Sequence, residues 1–168
     1  MSSRLVLFSA SLLAMACCGG TAARAAQWDV SISEDPMDDK RVGFAGLAGV
    51  GQSIAIKCWE SEQPRIMVLV DAARGNTVGS ETSFAVRVDK SEPIKLQSQV
   101  VELGGGYVHG SSTDIDTKVM DVFLKIMEAK TRVVVAADAS VHEMKVSNSA
   151  QAMKRLAEAC GISQKDRL

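Results

Sequence analysis

Nothing in this chain is long and apolar enough to span a bilayer. Its longest uncharged, mostly apolar run, Leu5 to Cys18, covers 14 residues, and a spanning helix needs about 20. Basic residues are not in excess: 19 Lys and Arg stand against 20 Asp and Glu, a net charge of −1. That balance excludes a general binder of nucleic acid or anionic membranes, which would show a basic surplus. There is no C-x-x-C pair of the redox type, no H-E-x-x-H metal helix and no G-x-S-x-G nucleophile elbow. The two histidines, His109 and His142, lie more than thirty residues apart in sequence, and each reads as an ordinary surface or partly buried side chain. Internal repeats and low-complexity tracts are absent as well.

What stands at the start of the chain is an export signal. Met1 to Arg4 brings one positive charge, the apolar run follows, no acid precedes Asp29, and Ala23-Arg24-Ala25 forms an A-x-A cleavage site. The expectation is a signal peptide over 1–25 and a single periplasmic domain over 26–168, a length that suits one core. Ala14-Met15-Ala16-Cys17 offers an alternative, a lipoprotein anchored at Cys17, although Leu13 sits one place too early for the usual lipidation box. Cleavage after Ala25 removes Arg4 and Arg24 and no acid, which takes the net charge from −1 to −3. It also removes Cys17 and Cys18 and leaves Cys58 and Cys160. Two cysteines in an oxidising compartment point to one disulfide, Cys58 to Cys160, since neither has histidines at metal-ligand spacing. Closing a loop of about 100 residues is worth roughly 4.7 kcal/mol on the chain-entropy account.

The N-terminal part of the domain reads as a meander. Trp28, Val30 and Ile32 alternate with polar residues over 27–33, and Asp35-Pro36-Met37-Asp38-Asp39 then forms a turn. Strands are expected over 42–48, 53–59, 65–71, 83–89 and 93–101. Within 53–59, Ile54, Ile56 and Cys58 share a face, which aims the thiol at the core. The period then changes. Ile115, Val119, Val122, Phe123, Ile126 and Met127 make a helical stripe with Thr113 or Asp114 as N-cap. Strands over 131–138 and 141–146 pair with each other. A last helix, capped by Ser147 or Ser149, carries Met153, Leu156, Ala157 and Cys160 on one face and stops at Gly161. The expected fold is α+β: an antiparallel, meander or sandwich-like sheet with two C-terminal amphipathic helices and one disulfide.

No residue set calls for catalysis, a metal or a cofactor. Gly104-Gly105-Gly106 lacks the Lys and Ser or Thr of a phosphate loop and reads as a turn. Asp35, Asp38 and Asp39 lack the spacing, glycine and distal Glu of a calcium loop. The candidate partner contacts are Arg87 and Asp89, two apart and hence on one face of a strand, and Tyr107 and His109. Tyr107-Val108-His109 has strand character, whereas the hydrolase or inhibitor alternative would use the stretch from Gly104 to Ser112, which concentrates Gly, Ser, Tyr and His, as an exposed loop.

The order of motifs resembles a family. A Trp strand with a D-P-M-x-D turn (Trp28, Asp35 to Asp39) comes first, followed by a strand ending in cysteine (Ile54 to Cys58). An R-V-D strand (Arg87-Val88-Asp89) and a terminal A-x-x-x-L-x-x-x-C helix (Ala152, Leu156, Cys160) complete it. This arrangement is similar to the VasI/TagO-type periplasmic proteins associated with bacterial type VI secretion. One departure is Leu96, in the region where that family carries a Trp after R-V-D. The resemblance implies a non-enzymatic accessory protein of the envelope with a protein partner. The alternatives from other classes are an envelope hydrolase, an inhibitor of a cell-wall enzyme, or a structural lipoprotein.

Overall fold

The computed structural model describes residues 25–49, 52–60, 62–70, 77–103, 106–112, 114–137 and 139–162. The expected signal peptide and Cys17 lie outside them. The strands are β1 (Ala26–Gln27), β2 (Asp29–Glu34), β3 (Arg41–Gly49), β4 (Gln52–Trp59), β5 (Arg65–Val70), β6 (Glu81–Val88), β7 (Ile94–Leu103), β8 (Gly106–Ser112), β9 (Arg132–Ala137) and β10 (Ser140–Ser147). Helix α1 spans Val119–Glu128 and α2 spans Ser149–Cys160. The fold is α+β, as expected: a ten-stranded sheet, two amphipathic helices and the Cys58–Cys160 disulfide.

The sheet runs β1-β10-β9-β6-β7-β8-β5-β4-β3-β2. All neighbouring strands are antiparallel except β1 and β10, which are parallel. Its two ends, β1 and β2, are separated in sequence only by Trp28, so the single strand expected over 27–33 serves both edges. Ala26 and Gln27 pair with Val146 and Ser147 of β10, whereas Asp29 to Glu34 pair with β3. The sheet therefore curls until β3 comes into contact with both β1 and β10.

Polar side chains hold this seam. Asn148 Oδ1 accepts the Trp28 backbone N–H at 3.0 Å, and Asn148 Nδ2 donates to the Trp28 carbonyl at 3.3 Å. The Trp28 indole N–H donates to Ser149 Oγ at 3.0 Å. Beyond Trp28 the strand runs off the core, and Ile32 is 45 % exposed although it continues the apolar alternation.

One apolar core fills the inner face. Leu47, Ile54, Ile56, Ile66, Phe84 and Leu96 from the sheet meet Phe123 and Ile126 of α1 and Met153 and Leu156 of α2. Helix α2 lies across β3, and Gly43 makes that approach fit. A Cβ there would come 2.6 Å from Leu156 Cδ1 and 2.9 Å from Cys160 Sγ.

Both helix starts differ from the reading of the sequence. Helix α1 begins at Val119, and Ile115 lies in a preceding turn. The reason is Asp116, whose buried carboxylate accepts the Lys118 N–H at 3.0 Å and, across to β7, the Gln97 N–H at 2.9 Å. Asp114 makes no cap, and Thr113 lies outside the described residues. Helix α2 follows Asn148 in the left-handed region, φ 58°. Neither serine caps it; Ser149 instead receives the indole of Trp28. Its end is as expected. Gly161 adopts φ 68°, and the Ile162 N–H bonds the Ala157 carbonyl at 2.9 Å.

Candidate functional site

Cys58, on the inner face of β4, and Cys160, at the end of α2, form the expected disulfide, with Cα atoms 5.9 Å apart. That separation is normal for a bridge. Both cysteines are fully buried, and Cys58 pairs in register with Gly43. The bond thus fastens α2 over Gly43, where a Cβ would meet both Leu156 and Cys160.

Arg87 and Asp89 do not project together. Arg87, next to last in β6, donates from Nε to the Ser91 carbonyl at 3.0 Å. Asp89 lies past the end of β6 in the left-handed region, φ 51°, which breaks the strand alternation. Its carboxylate accepts the backbone N–H groups of Lys130, Thr131 and Arg132 at 2.9 to 3.0 Å and the Thr131 hydroxyl at 2.6 Å. Burial alone would push its pKa up, but those four hydrogen bonds outweigh it and hold the carboxyl far below the ordinary aspartate range. Asp89 therefore ties the β6–β7 turn to the start of β9.

The stretch from Gly106 to Ser112 is strand β8, not a loop. It pairs with β7 on one side and β5 on the other. His109 sits opposite both Val68 and Val100 and is 3 % exposed; Ser111 and Ser112 are buried beside it. Sequence-distant pairing, which composition does not reveal, makes this segment interior. The hydrolase reading, which needed an exposed loop here, loses that support. Gly104 and Gly105, and the side chain of Tyr107, lie outside what the structure describes. The Asp35-to-Asp39 turn is held by its own carboxylates: Asp35 accepts the Met37 N–H and Asp38 the Lys40 N–H. Among the described residues no three His, Cys, Asp or Glu side chains gather to hold a metal ion.

Two surface features were not singled out from the sequence. An open groove of about 500 Å³ crosses the outer side of β6, β7 and β9, over Ser83, Ala85, Lys95, Gln97 and Ala136. The other lies on the outer face of β4 and β5, where Lys57 Nζ stands 4.3 Å and Arg65 Cζ 5.1 Å from the centre of the Trp59 ring. Lys57 and Trp59 are two apart on one strand, a spacing visible in the sequence. Arg65 joins them only through the register that sets it opposite Lys57.

Fold and bridge together define a disulfide-clamped α+β domain with a curled sheet, and among the described residues no helix is long and apolar enough to cross a membrane. Compared with models of protein families, with curated proteins and with solved structures, the chain matches none.

Proposed function

We propose that this protein is an exported, non-enzymatic accessory protein of the bacterial envelope, which binds a protein partner and works beside a type VI secretion apparatus. The observation that carries the reading is the Cys58–Cys160 bond, which joins elements 102 residues apart. Such a bond persists in the periplasm and is reduced in the cytosol. The export signal agrees with it, and the order of motifs shared with the VasI/TagO-type proteins supplies the link to secretion.

The test is made on the native protein recovered from the envelope. Expected are an N-terminus at Ala26 and thiols that react only after reduction. Crosslinking in living cells from exposed positions is expected to capture a component of the secretion apparatus. Free thiols at Cys58 and Cys160 overturn the compartment. Capture of a cell-wall enzyme replaces the accessory role with inhibition. Turnover of cell-wall or peptide substrates that disappears in His109→Ala shows an enzyme, and a lipidated Cys17 shows an anchored protein.

A further inference from the structure

Lys57 and Arg65 face each other directly in the β4–β5 ladder. Like charges in that position destabilise a sheet. Glu60, the nearest acid in sequence, is held by Arg41 at 2.7 Å, and Glu62 lies 3.8 Å from Lys40. Among the described residues no carboxylate forms an ion pair with Lys57 or Arg65. On a chain of net charge −1 this is a local pair of cations that no described carboxylate binds. The Trp59 indole eases the repulsion by offering its negative face to both. A guanidinium beside the ring at this distance keeps N–H donors that match the two oxygens of a carboxylate. The ring contacts also order the side chains before anything binds.

We propose that Lys57, Trp59 and Arg65 form a docking point for a carboxylate on an acidic segment of a partner protein. Phe44 and Val42, half-buried on the same outer face, lie opposite Lys57 and Trp59 in register and take an apolar residue next to that acid. Charge complementarity selects this occupant. A nucleic acid or an anionic bilayer presents extended negative charge, which two cations on a net-acidic chain hold only weakly. The inference rests on the proposed partner-binding role and names the surface and the chemistry of the partner.

The test uses the full exported, oxidised chain and a fluorescein-labelled peptide in which glutamate alternates with valine and phenylalanine, followed by anisotropy at low ionic strength. Binding that weakens with salt is expected, and the double variant Lys57→Gln/Arg65→Gln should lose roughly tenfold or more in affinity. Trp59→Leu should lose severalfold, whereas Lys145→Gln, which neutralises an exposed cation on β10, should change nothing. Thermal melts close to wild type establish that the variants are folded. No binding of the peptide, or equal binding by the double variant, overturns the docking point. So does loss, in the same variants, of binding to phosphatidylglycerol vesicles with the peptide left unbound. Because purified protein is used, the result separates from the role above. Peptide binding by a chain found in the cytosol sinks only the role, and capture of a secretion component without peptide binding sinks only the docking point.

Discussion

Gly43 shows how one missing side chain shapes the domain. The sulfurs of Cys160 and Cys58 and the end of Leu156 all crowd the space a Cβ would need. Gly43→Ala should therefore act as overpacking and cost about 1–3 kcal/mol in urea unfolding. Gly46→Ala is the control. Its Cβ would meet only the far end of the Phe44 ring at 3.0 Å, a half-buried side chain with room to give, so its cost should be smaller.

Asp89 is the other residue on which local geometry turns. Replacement by asparagine keeps a side chain that tolerates φ 51° but places an amide N–H₂ where the carboxylate accepts a backbone N–H. The expected cost at neutral pH is about 1–3 kcal/mol. The sign of its pH dependence follows from the depressed carboxyl. A group whose folded pKa lies below the ordinary 3.8 contributes its stability in full above that value and loses it as pH falls toward the folded value. The gap between wild type and Asp89→Asn should thus be constant near neutrality and begin to close only below about pH 4. A gap that closes between neutrality and mild acidity would assign the effect to another group.

At the level of elements, what sequence reading captured and what it missed divide by the distance over which each feature is decided. Alternation of Ile54, Ile56 and Cys58 is a property of neighbours along one strand, and it placed the thiol correctly. The stripe through Phe123 and Ile126 likewise marked α1 as a helix. The start of α1, however, is set by Asp116 reaching Gln97 on β7. The interior position of β8 comes from partners on both sides, and the change of partner at Trp28 depends on Asn148, 120 residues away. The Lys57–Trp59–Arg65 group is intermediate: two members are legible from strand period, and the third requires the register of a hairpin.

The Trp28 seam makes this testable. Asn148→Gly keeps the left-handed backbone and removes both hydrogen bonds to Trp28. A loss of about 1–2 kcal/mol is expected, at roughly one per bond. Amide exchange should quicken first in β1, β2 and the end of β10, while β6, β7 and β9 in the middle of the sheet keep their protection. Uniform quickening across the sheet would mean that the seam does not open as a separate unit.

For the molecule as a whole, α2 is held at both ends by different chemistry. Its start is fixed by the side chains around Trp28, and its end by a covalent bond to β4 and the αL turn at Gly161. Between these anchors it supplies Met153 and Leu156 to the one core that joins both halves of the sheet. Removing the bond with Cys58→Ala/Cys160→Ala leaves the apolar contacts of α2 in place but frees the denatured chain from a loop of 102 residues. The expected loss is about 2–5 kcal/mol, seen as a lower urea midpoint. Because the cross-link also keeps the denatured chain compact, its removal should raise the slope of the transition. Exchange in the double variant should rise most in the last turn of α2, where the covalent anchor is gone, and least around Ser149, where the indole hydrogen bond remains. Were the midpoint to stay where it is in the oxidised protein, the bridge would contribute nothing to folding stability, and the apolar contacts of α2 alone would hold it in place.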